Sequence, residues 1–317
     1  MVRRKLTFGT DCSGIDAPVF AFRKLKLRVD HIFSCDSDPH ARRSITANCK
    51  PRVFYDNIYR DHSKAIHTDF YFLGFPCQSF SQAGKRNGFE DSRGNIFFQG
   101  LLHIARAKPK VFILENVKGL VFHNKGTTFR TIMDHLNNLR CYSISYKVLN
   151  SKDFGVPQNR ERVFIVGILK SILKKPFVFP DAFPIRKKID DVLENVRVVT
   201  KLTEFNKRTL EHHKKAMLLK GVNISKTTCV ANLGSSFEFS TCLAEMCPCL
   251  RATQYRNYLT TQKRFLTPRE CLRLQGFPDT FKIVVSDSQT YKQAGNSITV
   301  DVLAQILKNV VDSIDTS

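Results

Sequence analysis

Short apolar runs alternate with stretches of helical spacing along the first 168 residues of the chain. The runs lie at residues 6–8, 29–33, 70–73, 111–114, 144–149 and 163–168. Between them, apolar positions recur every three or four residues at 18–25, 39–49, 95–107 and 127–139. This alternation predicts an α/β fold with a mostly parallel sheet that is covered by helices on both faces.

The residues that directly follow the apolar runs are where chemistry is expected, because open parallel sheets bind ligands beyond the carboxyl ends of their strands. Polar or acidic groups occupy four such places: residues 11–14, Asp36, residues 74–78, and Glu115 with Asn116. Near the end of the chain, residues 299–314 place apolar side chains on one face of a helix. We expect this helix to pack back on the first domain.

The regular alternation fades between residues 170 and 264, where pairs of basic residues appear. This segment carries 18 lysine and arginine residues against eight acidic ones. We therefore expect two domains: a catalytic domain built from 1–169 plus 265–317, and a smaller basic domain at 170–264. An irregular insertion with a solvated surface is the alternative for the basic segment.

The overall charge changes the range of possible partners. The net charge is +22 and the isoelectric point is near 9.7, which favours a polyanion such as nucleic acid. A basic enzyme without such a partner is the alternative. No apolar run approaches the roughly 20 residues of a membrane helix, and the first residues lack the apolar stretch of a signal peptide. We expect an intracellular protein that does not associate with membranes.

Ten cysteines in a chain of this length are typical of reduced intracellular thiols. A zinc site is a weak possibility, because the pair Cys247 and Cys249 has C-x-C spacing and no second close pair faces it. The other members of that group are Cys229, Cys242, His212 and His213. We predict no metal.

Three side-chain groups have the pattern of a reactive site. Cys77 follows a buried strand and precedes a polar, glycine-containing loop with basic residues, which favours a thiolate nucleophile over a small buried hydrophobe. Glu115 ends an apolar strand, where low polarity can raise its pKa and make it a proton donor, although a strand-end acid without such a role is the alternative. Arg160 and Arg162 alternate by two and are expected to share one face of a strand, although single arginines are more often surface ion-pair residues.

Four motifs in a fixed order resemble those of the DNA (cytosine-5) methyltransferase family. They are Gly74-Phe75-Pro76-Cys77-Gln78, Glu115-Asn116-Val117, Gln158-Asn159-Arg160-Glu161-Arg162 and Gly295-Asn296-Ser297. The segments Thr267-Pro268-Arg269-Glu270 and Gln275-Gly276-Phe277-Pro278 also resemble the region before the last motif. Four ordered motifs are far more specific than one short pattern. The resemblance covers residues 1–168 and 265–317.

This resemblance implies a Rossmann-like sheet that binds S-adenosylmethionine, and methyl transfer to C5 of a cytosine flipped out of duplex DNA. It assigns attack on C6 to Cys77, contact with N3 to Glu115, and contact with O2 to Arg162 with Arg160 nearby. It also assigns Asp36 to the ribose hydroxyls and Asp56 to the adenine amine. The full implied cofactor set is Ser13, Gly14, Ile15, Asp36, Ser37, Asp56, Pro76, Asn296 and Ser297.

The first motif departs from the family pattern. The family usually reads Asp-x-Phe-x-Gly, whereas residues 10–16 here read Thr-Asp-Cys-Ser-Gly-Ile-Asp. Cys12 and Ser37 then stand where many relatives have aromatic side chains against the adenine. This departure bears on cofactor affinity more than on cofactor identity.

The basic segment at 170–264 falls where the family has its target-recognition domain. Arg251, Gln254 and Arg256 are the predicted base readers, because arginine and glutamine can pair bidentately with guanine and adenine. Phosphate contact is the alternative, since most protein–DNA hydrogen bonds go to the backbone. Ser81 and Arg93, in the loop after Cys77, complete the predicted DNA-binding set.

Two alternatives to a DNA methyltransferase follow from the same motifs. A tRNA cytosine-5 methyltransferase usually carries a Cys-Phe-Thr signature, and this sequence has none. An inactive DNA-binding relative is disfavoured by the intact Cys77, Glu115 and Arg162. We expect a monomer that acts in the nucleus of a eukaryote, or in the cytoplasm if it is bacterial or viral.

Overall fold

The computed structural model describes residues 5–76, 96–183, 187–196, 198, 200–234, 237–253 and 256–315. Its internal contacts divide the chain into two compact units. The first unit comprises 1–149, 161–181 and 302–317, and the second comprises 150–160 and 182–301. These bounds group residues by their contacts and not by their function. The division into a catalytic domain at 1–169 plus 265–317 and a basic domain at 170–264 therefore stays a prediction.

A seven-stranded sheet forms the centre of the first unit. The strands as far as residue 169, in chain order, are β1 (Leu6–Asp11), β2 (Val29–Cys35), β3 (Val53–Tyr55), β4 (Phe70–Gly74), β5 (Val111–Val117), β6 (Tyr142–Asn150), β7 (Gln158–Asn159) and β8 (Glu161–Leu169). The order across the sheet is β3-β2-β1-β4-β5-β8-β6. Strands β1 to β5 run parallel, and β8 is antiparallel to β5. The predicted α/β fold with a mostly parallel sheet is confirmed.

The helices between these strands begin close to where the apolar spacing predicts them. They are α1 (Ala17–Lys24), α2 (Pro39–Asn48), α3 (Ile96–Ala107), α4 (Gly119–Phe122) and α5 (Thr127–Asn137), followed by α6 (Glu204–Leu218), α7 (Pro268–Leu274), α8 (Asp287–Asn296) and α9 (Val300–Ser313). The Asp38 carboxylate caps α2 by accepting the His40 N–H, as the orphan donors of a first turn require. The end of α9 contacts the first unit, since Ile314 pairs with Leu173.

Aromatic side chains dominate the core of the first unit. The rings of Phe8, Phe22 and Phe70 are fully buried, and neighbouring ring centroids lie 5.2 to 5.4 Å apart. Each large ring removes much apolar surface from water and adds an edge-to-face contact. Gly9 makes room for this packing, because a Cβ there would lie 2.0 Å from the Phe33 ring. The aromatic core fixes the strands that carry the predicted cofactor and catalytic residues.

A small sheet of its own organises much of the second unit. Its strands are β9 (Cys229–Asn232), β10 (Cys242–Ala244), β12 (Asn257–Leu259) and β13 (Arg264–Phe265), in the order β10-β9-β12-β13. The two-residue strand β11 (Cys247–Pro248) pairs in parallel with β7. Strands of two to four residues are too short to produce a visible alternation, so the sequence pattern fades here although the chain is folded.

A buried ion pair holds the last strand of this sheet to α7. The Arg264 guanidinium donates to both Glu270 oxygens at 2.6 and 2.9 Å, and both side chains are almost fully enclosed. Glu270 also accepts the Thr267 N–H in a capping box at the start of α7. Removing one partner of such a pair costs about 3–5 kcal/mol, because the other charge stays buried alone. Among the described helices, none has the length and apolar character to cross a membrane.

Candidate active site

The turn after β1 is tied to the end of β2 by a single serine. The Ser13 N–H and hydroxyl both donate to the Cys35 carbonyl, at 2.9 and 3.0 Å, and Ser13 Oγ accepts the Cys35 N–H at 2.8 Å. Gly14 follows with a φ of 57°, and apart from its two chain neighbours no described residue has an atom within 4 Å of where its Cβ would be. The turn therefore combines a fixed backbone with open space beside it, while Ile15 is buried.

Asp36 follows β2 and supports the same turn. Its two carboxylate oxygens accept the N–H groups of Gly14 at 2.8 Å and Asp38 at 2.9 Å. Burial raises the pKa of this carboxyl above its ordinary value, and the two backbone donors act against that rise. Each oxygen keeps lone-pair capacity for a further donor. The arrangement fits a pair of neighbouring hydroxyls, such as those of a ribose.

The residues predicted to contact an adenine are more exposed. The Asp56 carboxylate lies 2.7 Å from the Arg42 guanidinium in a surface ion pair, and that guanidinium lies over the Phe54 ring. Ser37 is exposed. Cys12 packs against the hydrophobic core of the first unit, and burial raises the pKa of its thiol. Neither Cys12 nor Ser37 presents an aromatic face.

The predicted nucleophile, Cys77, lies outside the described residues, as do Ser81, Arg93 and Gln254. The described chain stops at Pro76, two residues beyond the end of β4. The side chain of Asn116 donates to the Phe75 carbonyl at 3.1 Å. This bond fixes the backbone just before Cys77 to the end of β5.

Glu115 and Arg162 form a buried ion pair at the same edge of the sheet. The Arg162 Nε lies 3.1 Å from Glu115 Oε1, and the two side chains are 15% and 9% exposed. Their strands bring them together, because Glu115 stands beside Gly74 of β4 and Arg162 pairs with Val117 of β5. The pair therefore lies next to the strand that leads to Cys77, as the sequence predicts for catalytic partners.

Arg160 has a different environment from Arg162. It is 2% exposed and belongs to the second unit. Its Nη1 donates to the Leu250 carbonyl at 2.9 Å, and its Nη2 donates to the carbonyls of Gly295 and Ser297 at 3.0 and 2.7 Å. The donors expected to help hold a pyrimidine oxygen are directed at the backbone instead. A contribution of Arg160 to binding O2 stays a prediction.

Two glutamines complete the support of the Gly295–Ser297 motif. Gln158 donates to the Leu274 carbonyl and accepts the Leu250 N–H, and it is fully buried. Gln275 donates to the Ala294 carbonyl at 2.6 Å. Within the motif, Asn296 is exposed and Ser297 is buried. Arg160 therefore holds the carbonyls of Gly295 and Ser297, and Gln275 holds the carbonyl of the residue just before the motif.

A polar network that sequence reasoning missed lies at the end of β1. Asp11 accepts two hydrogen bonds from the Arg60 guanidinium and one from the Tyr71 hydroxyl, and it is 1% exposed. The partners are 49 and 60 residues away in sequence. No local spacing links them, although a charged residue inside an apolar strand end is itself a signal that a partner exists.

The second unit exposes aromatic and basic groups near the loop between β9 and β10. Phe237 and Phe239 are 47% and 62% exposed, and the Arg251 guanidinium donates to the Phe239 carbonyl at 3.3 Å. Arg256 is exposed, and a Cβ added at Gly234 would lie 3.2 Å from the Arg256 Cβ. Of the two described readers, Arg251 thus contacts the backbone of an exposed aromatic residue, and Arg256 lies close to Gly234.

The cysteines considered for zinc are arranged around a small apolar cluster. Cys229 is buried with Met217 and Ile224, and Cys242 packs against the same cluster. Within the described residues, no group of three or more histidine, cysteine or acidic side chains is placed to hold a metal ion.

Comparison with known proteins agrees with this arrangement of motifs. A family model for C-5 cytosine-specific DNA methylases matches residues 11–312. The type II methyltransferase M.NgoBI of Neisseria gonorrhoeae is 41% identical over 274 residues, covering 86% of this chain and 83% of its own. M.HpaII of Haemophilus parainfluenzae is 36% identical, covering 99% and 91%. The chain belongs to the C-5 cytosine-specific DNA methylase family, whose members are DNA (cytosine-5) methyltransferases.

Solved structures share the fold. The Dnmt2 methyltransferase of Schizosaccharomyces pombe matches with a TM-score of 0.66 and 18% identity, covering 97% of this chain and 98% of its own. The methyltransferase EhMeth of Entamoeba histolytica matches with a TM-score of 0.69 and 19% identity over 98% of both chains. The predicted Rossmann-like methyltransferase sheet with a smaller second region is confirmed.

The buried contacts of Arg160 predict a larger effect on stability than those of an arginine in a surface ion pair. Replacement Arg160→Met removes the guanidinium donors from the carbonyls of Leu250, Gly295 and Ser297, and among the described residues only Leu250 keeps a donor, the weak one of the Cys249 thiol. This should lower the free energy of unfolding by about 2–4 kcal/mol.

Replacement Arg52→Met is the matched control, and it should cost less than about 1 kcal/mol because the Arg52 side chain is largely exposed in its ion pair with Asp30. Urea unfolding followed by circular dichroism measures both. Equal losses in the two variants would contradict the distinct role of Arg160.

Proposed function

We propose that the protein transfers a methyl group from S-adenosylmethionine to C5 of a cytosine flipped out of duplex DNA. The observation that carries this proposal is the Glu115–Arg162 ion pair beside the strand that leads to Cys77. A cytosine inside a duplex is unreachable, so the base must leave the stack before reaction. The relatives described as type II methyltransferases support the same substrate class. Their bacterial origin supports a cytoplasmic location.

The chemistry begins at Cys77. Its thiolate attacks C6 of the ring, so that an S–C6 bond forms and the electron pair of the C5–C6 double bond moves to C5. C5 becomes an enamine carbon that can accept a methyl group. Loss of the C5 proton to a base and breakage of the S–C6 bond then restore the double bond and the thiolate. Each bond that Cys77 forms is therefore broken before the product leaves.

Glu115 and Arg162 stabilise charge that appears on the ring only during this reaction. Glu115 holds N3 by a hydrogen bond or a proton, and Arg162 holds O2. Because the two side chains are already paired and largely buried, they need little rearrangement when the base enters. Donors that act mainly on the developing charge raise the rate of the chemical step and not only the affinity.

The cofactor is held by the edge formed by β1 and β2. Asp36 accepts the ribose hydroxyls, and the open turn at Gly14 gives the methionine end room to approach the backbone. The adenine lies beside Asp56, Ser37 and Pro76. The other proposed cofactor-binding residues are Ser13, Ile15, Asn296 and Ser297. Bound S-adenosylmethionine supplies an electrophilic methyl group. The residues around the ribose and turn support this assignment more fully than those around the adenine.

DNA is held by the basic surface of the second unit. The strong positive charge of the chain favours phosphate contact, and Arg251 and Arg256 are the proposed base readers. Phe237 and Phe239 are exposed apolar side chains in the same unit, and Arg251 donates to the Phe239 carbonyl, so apolar surface that suits a thymine methyl group lies in this unit. Arg160 supports this region from inside through the Leu250 carbonyl, one residue before Arg251.

The covalent step is tested by replacing the nucleophile. Variant Cys77→Ser should lose methyl transfer by at least about three orders of magnitude, because a hydroxyl is hardly ionised at neutral pH. Wild-type protein should form a denaturation-resistant adduct with duplex DNA that contains 5-fluorocytosine, and the variant should form none. Gel electrophoresis in denaturant measures the adduct.

The matched control for this experiment is Cys141→Ser, which alters an exposed cysteine. It should leave adduct formation unchanged. Substantial methyl transfer by Cys77→Ser would rule out the covalent route. Absence of an adduct with the wild type, under conditions where methyl transfer proceeds, would do the same.

The different roles proposed for lysine and arginine residues of the basic surface give a second prediction. Replacing the exposed Lys187 and Lys188 by Gln should weaken binding to all duplexes about equally and flatten the dependence of log affinity on log salt. Replacing Arg251 by Ala should act unevenly, costing about 1–3 kcal/mol at one base position. Filter binding on cognate and scrambled duplexes at several salt concentrations measures both. An equal loss on both duplexes for Arg251→Ala would mean that Arg251 only positions the DNA.

A further inference from the structure

A buried ion pair outside the proposed catalytic residues fixes the end of β1. The Asp11 carboxylate lies 2.6 Å from Nη1 and 2.9 Å from Nη2 of Arg60. The Tyr71 hydroxyl, from β4, donates a third hydrogen bond at 2.8 Å. Asp11 is the residue directly before the turn at 12–14, so these bonds determine where that turn begins.

The Arg60 guanidinium also contacts aromatic and histidine side chains. Its guanidinium carbon lies 4.6 Å from the centroid of the Tyr55 ring and 5.1 Å from that of Phe33. Its Nη2 lies 3.5 Å from Nδ1 of His103, and its side chain is 14% exposed. Burial holds the pKa of His103 at about 4, so this ring is neutral at neutral pH and adds no repelling charge. These contacts therefore restrain the position of the Arg60 guanidinium within the first unit.

The segment that carries Arg60 has no regular structure of its own. Residues 56–61 lie between β3 and a short 3-10 turn at His62–Lys64, outside any strand or helix. The Asp56 carboxylate at the start of this segment pairs with Arg42 on the surface, where ion pairs contribute little. The buried contacts of Arg60 are thus the stronger restraint on the position of the segment.

We propose that Arg60 is a positioning residue for the cofactor. It ties the segment that begins at Asp56, at the adenine side, to the turn at Gly14, at the methionine side. The inference rests on the proposed function, which assigns opposite ends of S-adenosylmethionine to these two stretches. Cys12 and Ser37 have no aromatic ring that could stack on the adenine. The affinity for the cofactor therefore depends more on how accurately the backbone on either side of it is positioned.

The test is calorimetric titration of the wild type and of Arg60→Lys with S-adenosylmethionine and with S-adenosylhomocysteine. Lysine keeps the charge but loses the planar, two-pronged contact with Asp11 and the stacking on Tyr55. We expect Kd for both ligands to rise about tenfold, and kcat at saturating cofactor to stay within about twofold. Tyr71→Phe, which removes only the third hydrogen bond, should raise both Kd values about threefold.

A matched control is available in the pair Arg52–Asp30. This pair joins the start of β2 to the residue before β3, and the Arg52 side chain is largely exposed. Arg52→Lys should leave both Kd values within about twofold of the wild type. Asp36→Ala removes the proposed ribose contact, and its rise in Kd shows how much affinity is lost when a direct contact with the cofactor is removed. Each titration is made at a temperature where the unfolding curve of that variant is still on its folded baseline.

The outcomes separate this inference from the proposed function. A wild type that does not bind S-adenosylmethionine would overturn both. A wild type that binds, with unchanged Kd in Arg60→Lys, would overturn the role of Arg60 alone. Equal weakening by Arg52→Lys, or a fall in kcat without a rise in Kd, would also overturn it. If Arg60→Lys does not fold, Tyr71→Phe decides by the same criteria.

Discussion

The parallel register of β1, β4 and β5 is the constraint on which the site in the first unit depends. Gly74 stands beside Glu115, and Asp11 stands beside Leu73. Because parallel strands end at the same edge of a sheet, the turn at Gly14, the backbone before Cys77 and the Glu115 carboxylate meet there. Strand β8 runs in the opposite direction and begins at that edge, which brings Arg162 to Glu115. A shift of one residue in any pairing would turn these side chains to the other face.

Polar groups buried near this edge are arranged in pairs, and each pair fixes a different stretch of backbone. Ser13 joins the first turn to β2, Asn116 joins β5 to the residues before Cys77, and Arg60 joins β1 to the segment after β3. A buried polar group without a partner costs more free energy than a paired one returns. The pairs therefore favour one arrangement of these described backbone stretches before any ligand arrives.

Much of the first unit could be predicted from the sequence, because its strands are long enough to show an apolar pattern. Strand β3 escaped prediction, since it has three residues and none is fully buried. The second unit was hard to read for the same reason, with strands of two to four residues. The ends of the apolar runs indicated Asp36 and Glu115, and the family motifs, which local periodicity does not supply, assigned roles to Glu115 and Arg162.

The role of Arg160 and the Asp11–Arg60 pair could not be predicted from the sequence. The carbonyls that bind Arg160 belong to residues 90, 135 and 137 positions away, and a carbonyl carries no side-chain signature. Alternation by two suggested that Arg160 and Arg162 share a face. In the folded chain one is enclosed by backbone carbonyls and the other pairs with a carboxylate. Contacts of this kind depend on the whole fold and not on local spacing.

The central claim is that this chain methylates cytosine at C5 in duplex DNA. Bisulfite sequencing of plasmid DNA from cells that express the protein tests it most directly, with cells expressing Cys77→Ser as the reference. The account predicts that cytosines in one fixed sequence context resist conversion in the wild-type sample and convert fully in the reference. Full conversion at every cytosine in the wild-type sample, with folded protein present in the cells, would contradict it.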